Sequence, residues 1–143
     1  WYPPRRQRWA VPSRVPRTVV LEHTLPDGTR HFDWLMEPSE AGPGAGDEDR
    51  SLLAFRVRVR VDDPSVGSFG AEAMPDHRRR YLWYEGEIAG GRGCVLRVAE
   101  GVCNVLRRTA DELGVEVDFA GRRRVLRGRR LYGGVWEFEQ ESP

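Results

Sequence analysis

Lysine is missing from this chain: all 23 basic residues are arginine. Chemistry that needs a lysine amine of the same chain is excluded, whether a Schiff base, pyridoxal attachment, a covalent nucleotidyl-lysine or the lysine of a phosphate-binding P-loop. Histidine is scarce, with only His23, His31 and His77, so any histidine-based catalysis or metal centre draws on these three. The two cysteines, Cys94 and Cys103, have no CxxC or other ligand spacing. They read as reduced structural thiols rather than a disulfide framework. No apolar run approaches the ~18 residues of a membrane-spanning helix, and no signal-peptide pattern is visible. The expectation is a cytoplasmic protein without a membrane partner. The chain begins at Trp1 rather than methionine, which reads as a fragment of a longer chain.

A strong charge imbalance is also lacking. The net charge is +1 and the pI about 8.1, so no global basic field drives nonspecific nucleic-acid binding, and any such contact is confined to a local patch. Arginine without lysine reads first as the codon bias of a GC-rich genome. The 143 residues, 39% hydrophobic and 31% charged, fit one globular domain.

Residues 1–17 combine Pro3, Pro4, Pro12 and Pro16 with Arg5, Arg6, Arg8, Arg14 and Arg17, a composition that resists regular structure and reads as an arm. The domain is expected over residues 18–143. Thr18 to His23 and Arg30 to Met36 are β-rich runs around the turn signal Pro26-Asp27-Gly28, and so predict a hairpin. Pro38 to Arg50 is poor in apolar residues and reads as a mobile loop. From Leu52 to Val61 arginines alternate with valines, predicting a strand with Arg56, Arg58 and Arg60 on one face. Asp62 to Asp76 reads as a second loop. Beyond it, short strands are expected at Tyr81–Ile88, Gly93–Ala99, Val102–Arg107, Val115–Phe119, Arg124–Arg127 and Val135–Glu139, with a helical turn over Thr109 to Leu113 capped by Gly114. Many short strands and no long amphipathic helix predict an all-β sandwich or barrel.

Within the hairpin lie His23 and then His31-x-Asp33. Residues two apart on a strand share a face, and His23 on the partner strand can sit beside them. Two imidazoles and a carboxylate suit Mn²⁺, Fe²⁺ or Zn²⁺, and three protein ligands leave positions open for water or substrate. The third histidine opens His77-Arg78-Arg79-Arg80-Tyr81, where imidazole, guanidinium and phenol can all donate to phosphate oxygens. A solvated arginine run and a core tyrosine are the plain alternatives.

Taken together, the chain from about Thr18 to Phe138 resembles the 3'-phosphoesterase domain of bacterial DNA ligase D and its stand-alone relatives. The resemblance rests on Val19-Val20-x-x-His23, His31-Phe32-Asp33, Leu52-x-x-Phe55-x-Val57, Asp76-His77-x-x-x-Tyr81-Leu82-x-Tyr84-Glu85-Gly86-x-Ile88 and Leu126-x-Gly128-x-x-Leu131-x-Gly133-x-Trp136. It implies a compact single-domain β-barrel, a Mn²⁺ ion on His23, His31 and Asp33, and phosphate contacts from His77 and Tyr81. It also implies 3'-end processing in DNA repair, in which a terminal ribonucleoside and then the 3'-phosphate are removed from a DNA or DNA/RNA primer-template. With no polymerase or ligase motif in the chain, sealing falls to separate repair enzymes, and a monomer is expected.

Besides seven residues between His23 and His31 where the family usually has about five, the chain departs from the family pattern at two places. Leu35 stands where the family has an arginine of the phosphate site, and Arg58-Val59 stand where it has a proline-lysine pair, leaving Arg56 or Arg58 to supply that charge. Two other readings stay open. One is an end-binding module that keeps the metal without turnover. The other is a non-haem Fe(II) oxygenase built on His31, Asp33 and His77, which leaves His23 and Tyr81 without a role.

Overall fold

The computed structural model describes residues 15–39 and 45–142. Most of the expected arm, residues 1–14, and residues 40–44 of the expected first loop lie outside them. The hairpin forms as its sequence dictates, from β1 (Arg17–Thr24) and β2 (Arg30–Met36). Its turn is held by Asp27 Oδ1, which accepts from the Thr29 backbone N–H at 2.9 Å and from the Thr29 hydroxyl at 2.7 Å. Gly28 supplies the left-handed conformation at φ +88°.

Seven further strands follow: β3 (Arg50–Val57), β4 (Ser68–Arg78), β5 (Gly86–Glu87), β6 (Cys94–Arg108), β7 (Glu112–Phe119), β8 (Arg122–Tyr132) and β9 (Val135–Gln140). Neighbouring strands run in the order β1-β2-β3-β4-β9-β8-β7-β6. The sheet closes because the first part of β6 pairs with β1 and the second part with β7, all antiparallel. The result is a closed eight-stranded antiparallel barrel. A 3₁₀ helix at Arg79–Leu82 is the one helical element among the described residues.

Several expectations are corrected. β3 stops at Val57, so the arginine–valine alternation does not continue as strand; Arg60 instead donates to Asp62 and to the Val98 carbonyl. The segment read as a loop up to Asp76 contains most of β4, with Pro75 at an irregularity in the β3–β4 ladder, where a residue without an N–H is tolerated. The two strands expected on either side of Gly101 are a single strand. A Cβ at Gly101 would lie 2.2 Å from the Asp118 carbonyl oxygen, so this glycine permits close strand approach rather than a turn. Thr109 to Leu113 is not helical but a tight β6–β7 connection, in which the Thr109 hydroxyl accepts from the Glu112 N–H.

Burial separates two apolar layers. Trp34, Phe55, Phe69, Trp136 and Phe138 pack with aliphatic residues of β6, β7 and β8 inside the barrel. A smaller cluster of Val19, Leu21, Leu35, Leu52, Ala54 and Val95 lies on the opposite face of the same strands, covered by Leu82 with Tyr81, Tyr84 and Ile88 packed against it. β1, β2 and β3 are thus buried on both faces, which is why they carry unbroken apolar runs such as Val19-Val20-Leu21 and Leu52 to Phe55.

Gly128 tests the tightness of the inner layer, because a Cβ there would meet the Phe138 ring at 2.4–2.8 Å. Phe138 is fully buried among Trp34, Phe55 and Phe69 and has no room to retreat. Gly128→Ala is expected to lower stability by about 2–3 kcal/mol, the upper part of the usual overpacking cost, read as a shifted midpoint in urea unfolding.

Candidate metal and phosphate site

Cross-strand register decides whether the hairpin's ligand-type residues can meet. His23 stands directly opposite His31, and Leu21 opposite Asp33. All four therefore share one face, the outer one carrying the smaller apolar layer. The donor atoms of His23, His31 and Asp33 all lie within 4.8 Å of one another, near enough to converge on one first-row metal with bonds of about 2.0–2.2 Å. His23 Nδ1 is 3.3 Å from Asp33 Oδ2, and His31 Nε2 is 3.1 Å from Asp33 Oδ1.

The hydrogen bonding around the triad indicates which atoms are left for a ligand. His23 Nε2 is 2.8 Å from the Arg92 carbonyl, which can only accept, so Nε2 holds its proton. In the neutral ring this turns the Nδ1 lone pair toward the Asp33 carboxylate. His31 Nε2 is buried and, although 3.1 Å from Asp33 Oδ1, is not aligned for a hydrogen bond to it. Electron-pair donors this close require positive charge between them, either a proton or a cation. The Asp33 hydrogen bond, above all, raises the His23 pKa, and burial, above all, lowers that of His31. The residues fit a divalent metal: two imidazole nitrogens, one carboxylate, and a carbonyl behind one histidine to fix its tautomer.

Beside the triad opens a cleft of about 310 Å³ into which His77 and Tyr81 also project. The β3–β4 ladder is irregular here, with Ala54 opposite Met74 but Leu52 opposite His77. Two steps on β3 span three on β4, a bulge that re-aims the Pro75–His77 segment. His77 Nδ1 is 2.8 Å from the Pro75 carbonyl and so carries the proton, leaving Nε2 for a ligand. The Tyr81 ring stands edge-on to His77 at 6.0 Å between centroids.

Four arginines bring charge to this cleft: Arg50, Arg56, Arg78 and Arg92. Arg56 is opposite Asp33 in the β2–β3 register, and its Nε is buried without a hydrogen-bond partner. Arg50 and Arg92, together with Asp76, line the cleft as well; sequence reasoning did not single them out. The one available signal was the Gly90-Gly91-Arg92-Gly93 turn. All three of its glycines have positive φ, and a Cβ at Gly93 would lie 2.0 Å from the Thr24 carbonyl oxygen. Arg58, expected beside Arg56, is exposed beyond the end of β3 and is not among the residues lining the cleft. Leu35 lies on the same face as Asp33 but is fully buried in the smaller apolar layer with Leu82.

The 3₁₀ helix that carries Tyr81 is anchored from below. Glu37, 4% exposed, accepts from the Arg17 backbone N–H through Oε1 and from the Arg79 guanidinium through Oε2. The backbone N–H groups of Arg79 and Arg80 donate to the carbonyls of Asp49 and Asp47. No family model and no curated protein matches the chain.

Removing the Glu37 charge leaves the Arg79 guanidinium without its carboxylate. Glu37→Ala is expected to cost about 3 kcal/mol, as for other broken buried pairs, measured by urea unfolding. Amide exchange should accelerate first at residues 79–84.

Proposed function

We propose that the protein is a divalent-metal-dependent phosphoesterase acting on the 3' ends of DNA or DNA/RNA primer-templates, with Mn²⁺ as the metal expected from its resemblance to the ligase D phosphoesterase domain. One observation carries the reading: the His23-His31-Asp33 donor cluster reaches, through His23 and Asp33, a cleft that is also lined by His77, Tyr81 and Arg56. A metal site beside convergent phosphate donors suits attack of water on phosphorus and departure of the 3' oxygen. Bound metal would polarise the phosphoryl oxygens and stabilise the charge of the transition state. His77 and Tyr81 hold the phosphate by hydrogen bonds, and Arg56 neutralises it.

Arg56 also answers the departure at Leu35. The family's arginine lies two residues after the aspartate on the same strand, where this chain buries a leucine. Arg56 reaches the same neighbourhood from the adjoining strand, opposite Asp33. An oxygenase built on His31, Asp33 and His77 gives this cation no task, and it leaves unexplained the carbonyl behind His23.

The purified protein with Mn²⁺ is expected to release inorganic phosphate from a 3'-phosphorylated primer-template, and EDTA should abolish the release. His31→Ala should lower the rate by a factor of 100 or more. Arg56→Ala should lower kcat/KM about 10- to 100-fold, the scale of one charge-assisted hydrogen bond of about 1.5–3 kcal/mol. Mn²⁺ should raise the melting temperature of the wild type and not that of His31→Ala. No phosphate release with Mn²⁺, Zn²⁺, Mg²⁺ or Co²⁺, alongside a retained thermal shift and retained binding to 3' ends, would instead favour a noncatalytic end-binding module.

A further inference from the structure

Among the described residues, most arginines already face a carboxylate. On β8, Arg123 faces Asp118, Arg127 faces Glu141, Arg129 faces Glu137 and Arg130 faces Asp111. That basic strand is neutralised by its neighbours and offers little to a polyanion. Arg50, Arg56 and Arg92 behave differently, because among the described residues none has a carboxylate within ion-pair distance and all three line the triad cleft. Arg92 sits in the turn behind His23, where its Nε donates to the Ala89 carbonyl, which leaves Arg50 and Arg56 as the two on β3. Arg78 lines it too but is held by Glu48 at 3.0 Å.

Position along β3 separates the two cations. Arg56 is opposite Asp33, at the metal end. Arg50 is opposite Arg78, next to the Leu52–His77 pair, at the other end. Six residues of strand set their backbones about 20 Å apart, a separation that favours contacts to two different phosphates over a shared one. The cleft also contains the carboxylates Asp33 and Asp76. Asp33 belongs to the triad, and Asp76 is an exposed neighbour of His77 that forms no ion pair with Arg50 among the described residues.

We infer that Arg50 is a specificity residue: it holds an internucleotide phosphate while the terminal phosphate occupies the triad end beside Arg56, so that the cleft prefers an oligonucleotide to a nucleotide. The inference rests on the reading of the triad cleft as a phosphate site, and goes further by naming the residue that selects a strand. Arg50 was not among the residues singled out from sequence, because it ends a polar stretch, Asp47 to Arg50, with no periodicity to give it a face.

The test is direct binding in the presence of Mn²⁺, read by fluorescence anisotropy for a labelled 3'-phosphorylated oligonucleotide and by competition for a nucleoside 3'-monophosphate. Arg50→Ala is expected to weaken oligonucleotide binding about tenfold more than mononucleotide binding. It should also reduce the slope of log affinity against log salt by about 1, the loss of one phosphate contact. Arg56→Ala should weaken both ligands alike, and Arg122→Ala, an exposed arginine outside the cleft, neither. Equal losses for both ligands in Arg50→Ala, or no loss for either, would overturn the assignment. So would a wild-type protein that binds the oligonucleotide no better than the nucleotide. Because binding is scored apart from turnover, a wild type that binds strands through Arg50 without releasing phosphate would refute the reaction and leave the Arg50 assignment standing.

Discussion

Everything around the site follows from the burial of β1, β2 and β3 on both faces. A closed barrel needs only its inner face covered, and Trp34, Phe55 and Phe138 with their neighbours supply that core. Placing Val19, Leu21, Leu35, Leu52 and Ala54 on the outer face of the same strands creates a second apolar surface that must also leave water. The chain from Arg79 to Ile88 folds over it, with Leu82 as the buried contact and Glu37 pairing Arg79 beneath. Where this cover stops, the outer face changes character from leucine and valine to His23, His31, Asp33 and Arg56. The cleft is the boundary between a covered apolar face and a polar one, so its walls are rigid strand on one side and the edge of the cover, carrying Tyr81, on the other.

That arrangement also accounts for the protonation asymmetry of the two histidines. They sit opposite each other on one hairpin and share one carboxylate, yet His31 lies deeper, at 8% exposure, and loses its affinity for a proton chiefly to desolvation. His23 lies nearer the turn, bonded on one side to Asp33 and on the other to the Arg92 carbonyl, and holds a proton more tightly than a free imidazole. The positive charge needed between Nδ1 of His23 and the carboxylate is supplied by that proton or by a cation in its place.

The hairpin and its triad were legible from sequence because every signal was local. Pro26-Asp27-Gly28 marks the turn, period-two spacing puts His31 and Asp33 on one face, and strand pairing brings in His23. The barrel class was likewise legible from the density of short β-like runs. What stayed hidden depended on partners distant in sequence. Gly101 and Pro75 look like chain breakers, and only the approach of Asp118 to the first and the ladder irregularity at the second show why a strand tolerates them. The alternation Arg56 to Val61 suggested ten residues of strand. Pairing with β2 ends at Phe32–Val57, however, and past that point Arg60 satisfies itself on Asp62 and Val98 rather than continuing the ladder. Glu37 gave no signal, since a glutamate after Met36 reads as the polar end of a strand until Arg79 is brought to it.

Leu35 and Arg56 show where such a face can accommodate a cation. Asp33 and Leu35 point the same way, but Leu35 is one pleat further under the cover, in contact with the apolar layer. A guanidinium there would have to be desolvated against Leu82 or displace it, a cost of several kcal/mol without a partner carboxylate. Arg56 incurs less of that cost, being only half-buried, although its Nε is buried without a hydrogen-bond partner. It lies across from Asp33 on the next strand, at the open end of the same face, where the cleft admits water and the carboxylate is near enough for its charge to be felt by both histidines. Antiparallel pairing makes the two positions near neighbours in space although they are 21 residues apart in the chain. A cation on the strand beside that of the aspartate stands in electrostatic contact with the site while Leu35 serves as core. The charge pattern of the cleft is then set by register between strands rather than by spacing along one of them.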